Sequence, residues 1–219
     1  LAGSGTFLNT NTLVLGDEAS VLKLSGTNTV SGPVSLSAGI IDVDETSNLN
    51  SDLTLGGSAT IDVAEDKILT YEGASLSLGA NTLTIAGDGS ISSTNALVLD
   101  NADSQLTVTG SSVLSGAKVT ASLTTGIVIS ESSAITTLTV GALSPIAIAA
   151  DKTLAGTVVI NSEGTLMLTG SGSLDSAVAL NGGTLDIDET LVINGAITHS
   201  LSSTIDVASG KALAYSGAA

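Results

Sequence analysis

Cysteine, tryptophan and arginine are absent from these 219 residues. Without cysteine there is no disulfide to staple the chain and no thiolate for a structural zinc site. One histidine, His199, leaves no set of imidazoles for a transition-metal centre. Aromatics make up 1% of the chain, namely Phe7, Tyr71 and Tyr215. That excludes a globular core filled by rings. Positive charge is scarce: Lys23, Lys67, Lys118, Lys152 and Lys211 face 21 acidic residues, for a net charge of −16. Nucleic-acid partners need a basic footprint, and anionic membrane surfaces attract polybasic segments, so both are excluded. No apolar run approaches the ~18–20 residues of a membrane span. No signal-peptide pattern stands at Leu1, so a secreted form would have its signal removed or outside this segment.

Aliphatic residues are what the chain has in quantity. It is 42% hydrophobic with a mean hydropathy of +0.50 and 12% charged residues, which excludes disorder. Leu, Ile, Val and Ala stand beside 25 Gly and many Ser and Thr. Such side chains suit a narrow core between flat sheets.

The sequence repeats itself. Residues 39–74 align without gaps to 183–218, a lag of 144, with 18 of 36 positions identical. Within that block runs a shorter period, read from apolar-x-apolar triplets, the mark of a strand with one buried face. One series begins at Leu22, Ile41, Ile61, Leu83, Leu106, Ile127, Ile146, Leu166, Leu185 and Ile205. A second stands eight residues later, from Val30 to Leu213. A third opens at Leu13, Val34, Leu53, Leu76, Leu97, Val119, Leu138, Val158, Val178 and Ile197. Three aliphatic columns per roughly 20 residues predict an all-β, three-sided parallel β-helix of about ten coils. Gly, Ser, Asn and Asp fall between the columns, as bends require. Right-handed coiling is expected from the general hand of parallel crossovers. Residues 1–219 read as one solenoid domain holding about 1.5 copies of the 144-residue, seven-coil block.

Candidate sites are few. The longest coils lie between Ile61 and Ile127, with extra residues at the corners Tyr71–Ser75, Ser92–Ala96 and Ser115–Lys118, where a binding groove would form. Outward positions of the first column place Asp42 beside Asp62 and Asp186 beside Asp206, with Asp44 and Asp188 adjacent. Stacked carboxylates repel unless a cation bridges them, which makes these six a candidate Ca²⁺ set. No EF-hand or glycine-rich calcium motif accompanies them, and solvated acids on a solenoid face are the plainer reading. Val128, Ala147 and Met167 are expected to face outward together as a lateral contact stripe. His199 occupies a position that is Leu55 in the earlier copy, which argues for a substitution rather than a catalytic site. No catalytic residues and no cofactor are expected. The AGDGS run at Gly87 reads as a turn, because no helix follows it to make a phosphate loop.

The coil length near 20, the T-L-x-I/V strands (Thr82–Ile85, Thr184–Ile187) and the G-x-L runs resemble the β-helical shafts of large bacterial secreted adhesins. These are the filamentous-haemagglutinin-like exoproteins and autotransporter passengers. The resemblance covers the whole chain, is compositional, and includes no secretion motif. It implies a rigid extracellular or cell-surface stalk or fibre that is not an enzyme. Its partners would be further coils, copies of itself end to end or side by side, or surface glycans. The alternative is a polysaccharide-binding or polysaccharide-cleaving β-helix, including a phage-tail-like one. It predicts a carboxylate-lined groove beside 71–75, 92–96 and 115–118. Neither end shows a polar or helical cap, so both ends are expected to contact further coils.

Overall fold

The structure, a computed structural model, describes residues 1–121 and 126–217, apart from the side chains of residues 116–118. The described chain forms a β-solenoid of about ten coils in which parallel strands stack in three sheets. The first face is one ten-stranded sheet running from Val21–Leu24 to Thr204–Val207. The second face begins at Gly5–Leu8 and ends at Leu213–Tyr215. The third face begins as a separate three-stranded sheet, Leu13–Leu15, Val34–Leu36 and Leu53–Leu55.

The alternation of the sequence decides which side chains go inside. Along Thr165–Leu168 and Thr184–Ile187 the second and fourth residues are buried and the first and third are half-exposed. The inward residues of all three faces join in one apolar cluster from Leu15 to Ile193. With coils ~4.8 Å apart, ten coils make a rod of about 50 Å.

Two features differ from the expected geometry. First, the second and third faces are not always separated by a bend. Val113–Ala121, Ser133–Val140, Thr153–Asn161 and Ser173–Asn181 are continuous strands of eight or nine residues that cross that corner. The extra residues at Ser115–Lys118 are absorbed as a register shift between Leu114 and Lys118 rather than as a loop. A bulge keeps ladder pairing on both sides, which a loop would forfeit.

Second, the ladders slip by two residues at several steps. On the first face Ile61 pairs with Ile85, not Leu83, and Ile146 pairs with Leu168, not Leu166. On the second face Leu49 pairs with Tyr71, Ile135 with Gly156, and Ile193 with Tyr215. A one-residue slip would turn the apolar set outward, whereas a two-residue slip leaves each side chain facing as before.

Candidate functional site

The acidic columns stack as their spacing predicts. Asp42 pairs with Asp62 and Asp186 with Asp206 on adjacent strands. The cation at the first column is a lysine. Lys23, one coil earlier, places Nζ 2.7 Å from Asp42 Oδ2 and 2.7 Å from Asp44 Oδ2. These hydrogen bonds raise the Lys23 pKa, and the bond from Lys23 lowers that of Asp44. Asp62 makes no ion pair with the lysine, whose charge only partly offsets the groups that act on it. Desolvation, then repulsion from Asp42 and Asp44, raises its pKa. In the second column Met167 stands where Lys23 stands in the first, paired to Asp186. Desolvation, then Asp188 and Asp206, raises the Asp186 pKa. Among the described residues no three His, Cys, Asp or Glu side chains gather closely enough to hold a metal ion.

The first-to-second corner carries a device built over successive coils, and it occurs three times. One coil supplies Glu45–Thr46, Glu131–Ser132 or Glu189–Thr190. The next supplies the turns Ala64–Lys67, Ala149–Lys152 or Ala208–Lys211, each closed by a bond from the lysine amide to the alanine carbonyl. The third residue of each turn, Asp66, Asp151 or Gly210, has φ of 60°, 61° or 78°. Asp and Gly are among the residues that tolerate this left-handed region. Each lysine reaches back to the glutamate, at 2.8, 2.5 and 2.6 Å. The hydroxyl beside the glutamate accepts the amide that follows the lysine, at 3.2, 3.1 and 3.2 Å.

Glycines complete the device one coil later. Gly89 and Gly172 donate their amides to the carbonyls of Val63 and Ile148, and Ser90 and Ser173 donate theirs to Lys67 and Lys152. A β-carbon on Gly89 would lie 2.6 Å from Val63 Cγ1 and 2.8 Å from the Lys67 carbonyl oxygen. One on Gly172 would lie 2.5 Å from the Ala149 carbonyl oxygen and 2.7 Å from that of Lys152. The GDGS run at Gly87 is therefore a packing corner, in agreement with its reading as a turn.

At the second-to-third corner Tyr71 is turned inward. Its hydroxyl accepts the amide of Leu53 at 3.2 Å and donates to the Ala74 carbonyl at 2.7 Å. In narrower coils that amide bonds a backbone carbonyl instead, as Val34 does to Asp52 and Val178 to Ala196. Beside Tyr71 lies a small apolar cavity of about 40 Å³, lined by Leu49, Leu76, Ser93 and Asn95 among others. No carboxylate lines it. The nearby Asp52 accepts the Ala74 amide at 2.9 Å, and Asp100 accepts Ser77 Oγ at 2.5 Å and the Gly79 amide at 3.1 Å. Of the three candidate groove corners, 71–75 and 92–96 border this interior void. Ser115 lies within a strand, and the side chains of 116–118 lie outside the described residues.

The lateral stripe is only partly assembled. Val128 and Ala147 pair on adjacent strands and line a shallow concavity of about 380 Å³ with Ala149, Ala150, Gly170 and Glu189. Met167 pairs with Pro145 instead of Ala147, because the strand Leu143–Ile148 offers three inward positions and Thr165–Leu168 takes the first two. Gly170 and Gly172 then carry the chain over Ile148. All three residues are half-buried. His199 is exposed, and its strand Ile197–His199 pairs with Val178–Leu180, His199 opposite Leu180.

The corner device was missed in the sequence because its parts lie about 20 residues apart. The signal was present as the recurring pairs Glu-Thr/Ser and Ala-x-Asp/Gly-Lys. In comparisons with known proteins, no family model, no curated protein and no solved structure matches the chain.

Proposed function

We propose that this chain is a structural segment of a bacterial cell-surface or secreted fibre, working as a rigid, non-enzymatic stalk. The observation that carries this reading is the single apolar cluster from Leu15 to Ile193, wrapped by parallel ladders and pinned by the lysine–glutamate device at three corners. Stiffness comes from stacking: bending the rod would open ladder bonds on one side, and neighbouring coils share every inward side chain. The acidic surface keeps such strand-rich rods from adhering through their faces. Two carboxylates beside the wide coils, Asp52 and Asp100, are engaged with backbone amides and a serine, a poor arrangement for acid–base work on a sugar.

Two measurements on the same protein test this. Small-angle scattering should give a rod about 50 Å long. Incubation with a panel of polysaccharides should release no reducing sugar. Cleavage that disappears in Asp42→Asn or Asp62→Asn would overturn the proposal in favour of a polysaccharide-acting β-helix.

A further inference from the structure

The sequence holds two Asn-Gly pairs, Asn181–Gly182 and Asn194–Gly195. A glycine after asparagine has no β-carbon to shield its backbone nitrogen, so that nitrogen can reach the side-chain carbonyl carbon. The fold treats the two pairs differently.

Asn181 closes the strand Ser173–Asn181 and pairs in register with Asn161. The Gly182 amide donates to Ser203 Oγ at 3.1 Å, which ties up its nitrogen. Asn194 follows the strand Leu191–Ile193 and is exposed at the second-to-third corner. Among the described residues the Gly195 amide has no hydrogen-bond acceptor. The Asn194 side chain is held between the two neighbouring coils. Its Nδ2 donates to Asp175 Oδ1 at 2.6 Å, and its Oδ1 accepts Ser216 Oγ at 2.6 Å. A hydroxyl aimed at that oxygen stabilises the negative charge it gains when the carbonyl carbon is attacked. Asn181 Oδ1 also accepts a serine hydroxyl, from Ser200 at 2.9 Å, so the glycine nitrogen is what separates the two pairs. The position of Asn194–Gly195 is Asn50–Ser51 in the earlier copy, so this pair belongs to the later copy alone.

We propose that Asn194 is a modification site, at which the folded chain converts its own asparagine to aspartate and isoaspartate. The Gly195 nitrogen attacks Asn194 Cγ and gives its proton to water as the new N–C bond forms. The bond from Cγ to Nδ2 then breaks, and the side-chain nitrogen leaves as ammonia with a proton from solvent. Water opens the resulting five-membered imide at either carbonyl. The sum is one water consumed and one ammonia released, with no oxidant or reductant. Either product sets a carboxylate against that of Asp175, and like charges at such a distance repel. Isoaspartate also routes the main chain through the former side chain, between coils that pair on both sides of Leu191–Ile193. The inference stands apart from the stalk reading.

The test holds the native protein in mildly alkaline buffer and follows both asparagines by peptide mass mapping, with isoaspartyl methyltransferase labelling to mark the isoaspartate. Asn194 should convert about tenfold or more faster than Asn181. In urea, where neither amide is held by the fold, the two rates should converge. Gly195→Ala is unsuitable, because its β-carbon would lie 1.9 Å from the Ser176 carbonyl oxygen. Ser216→Ala removes the hydroxyl at the surface instead, and should slow conversion of Asn194 by about threefold or more while leaving Asn181 unchanged. An Asn194 that stays intact, equal native rates at the two sites, or a difference that persists in urea overturns the proposal. An unchanged Asn194 rate in Ser216→Ala overturns the role given to that hydroxyl.

Discussion

Replacing Tyr71 by phenylalanine removes one oxygen and tests the account of the wide corner. The ring remains, so no large void opens beside the existing 40 Å³ cavity. What is lost is the acceptor for the buried Leu53 amide and the donor to the Ala74 carbonyl. A buried amide left without a partner costs about 1–3 kcal/mol, and the second bond lies nearer solvent, so the expected loss is about 2 kcal/mol. With a urea slope near 3 kcal/mol/M, the midpoint should fall by about 0.7 M at unchanged slope. Exchange of the Leu53 amide should accelerate in parallel. Tyr215→Phe supplies an internal control. Tyr215 makes the matching bond to the Ile197 amide, but there water can replace the hydroxyl, so the loss should stay below about 1 kcal/mol. Desolvation, with Asp52 adding to it against the Leu53 amide, raises the Tyr71 pKa above the ordinary phenol value. The native state therefore holds that proton more tightly than the unfolded chain. Stability should fall as pH climbs from about 10 through the raised value, and Tyr71→Phe should remove that part of the alkaline loss. Equal effects of the two substitutions, or a Tyr71→Phe loss below about 0.5 kcal/mol, would refute the assignment of the hydroxyl as a substitute for a backbone carbonyl.

Asp62 and Asp186 have raised pKa values, so the native state binds their protons more tightly than the unfolded state, and their contribution to stability grows as pH falls from their raised values toward about 4. Asp62→Asn should raise the Tm at about pH 7 and flatten that part of the profile, and a lower Tm there would contradict the assignment. Asp44, with its lowered pKa, works oppositely: stability tied to Lys23 is lost on acidification, and Lys23→Met should remove that loss in a Tm-versus-pH series. At the corner, Glu131→Gln should change stability by less than about 1 kcal/mol, shrinking further in high salt, because the pair is half-exposed. Gly172→Ala should cost at least about 2 kcal/mol in a denaturant titration, since the new β-carbon meets backbone oxygens that cannot swing aside.

Which residues face inward was legible from the sequence, because facing depends only on parity. Leu22, Leu24, Leu83, Ile85, Leu166 and Leu168 were placed inside by alternation and are buried. Which inward residue meets which was less legible. Alternation is blind to a shift of two, so Ile61–Leu83 and Ile61–Ile85 satisfy the same pattern. The choice is made at the corner, where Gly89 donates its amide to the Val63 carbonyl and Ser90 donates to that of Lys67. The continuous strands such as Val113–Ala121 were hidden for a related reason. Ser115 and Gly116 look like turn residues, yet a bulge accommodates them while the ladder continues on both sides.

The acidic columns show how far charge can be read without neighbours. The stacking of Asp42 on Asp62 follows from coil length alone, and so does the repulsion that a neighbouring cation can relieve. That Lys23 supplies it required only the next coil back in the same outward column, one step further than the carboxylates themselves. In the later copy the same step back finds Met167, and the carboxylates of Asp186 and Asp206 are left to repel through solvent. The two copies therefore share the columns that build the core and the lysine–glutamate corner, while the outward charge partner differs, Lys23 in one and Met167 in the other. Core columns and corners are constrained by atoms on both neighbouring coils. An outward lysine is constrained only by solvent-screened attraction, too little to fix its identity once a block is copied.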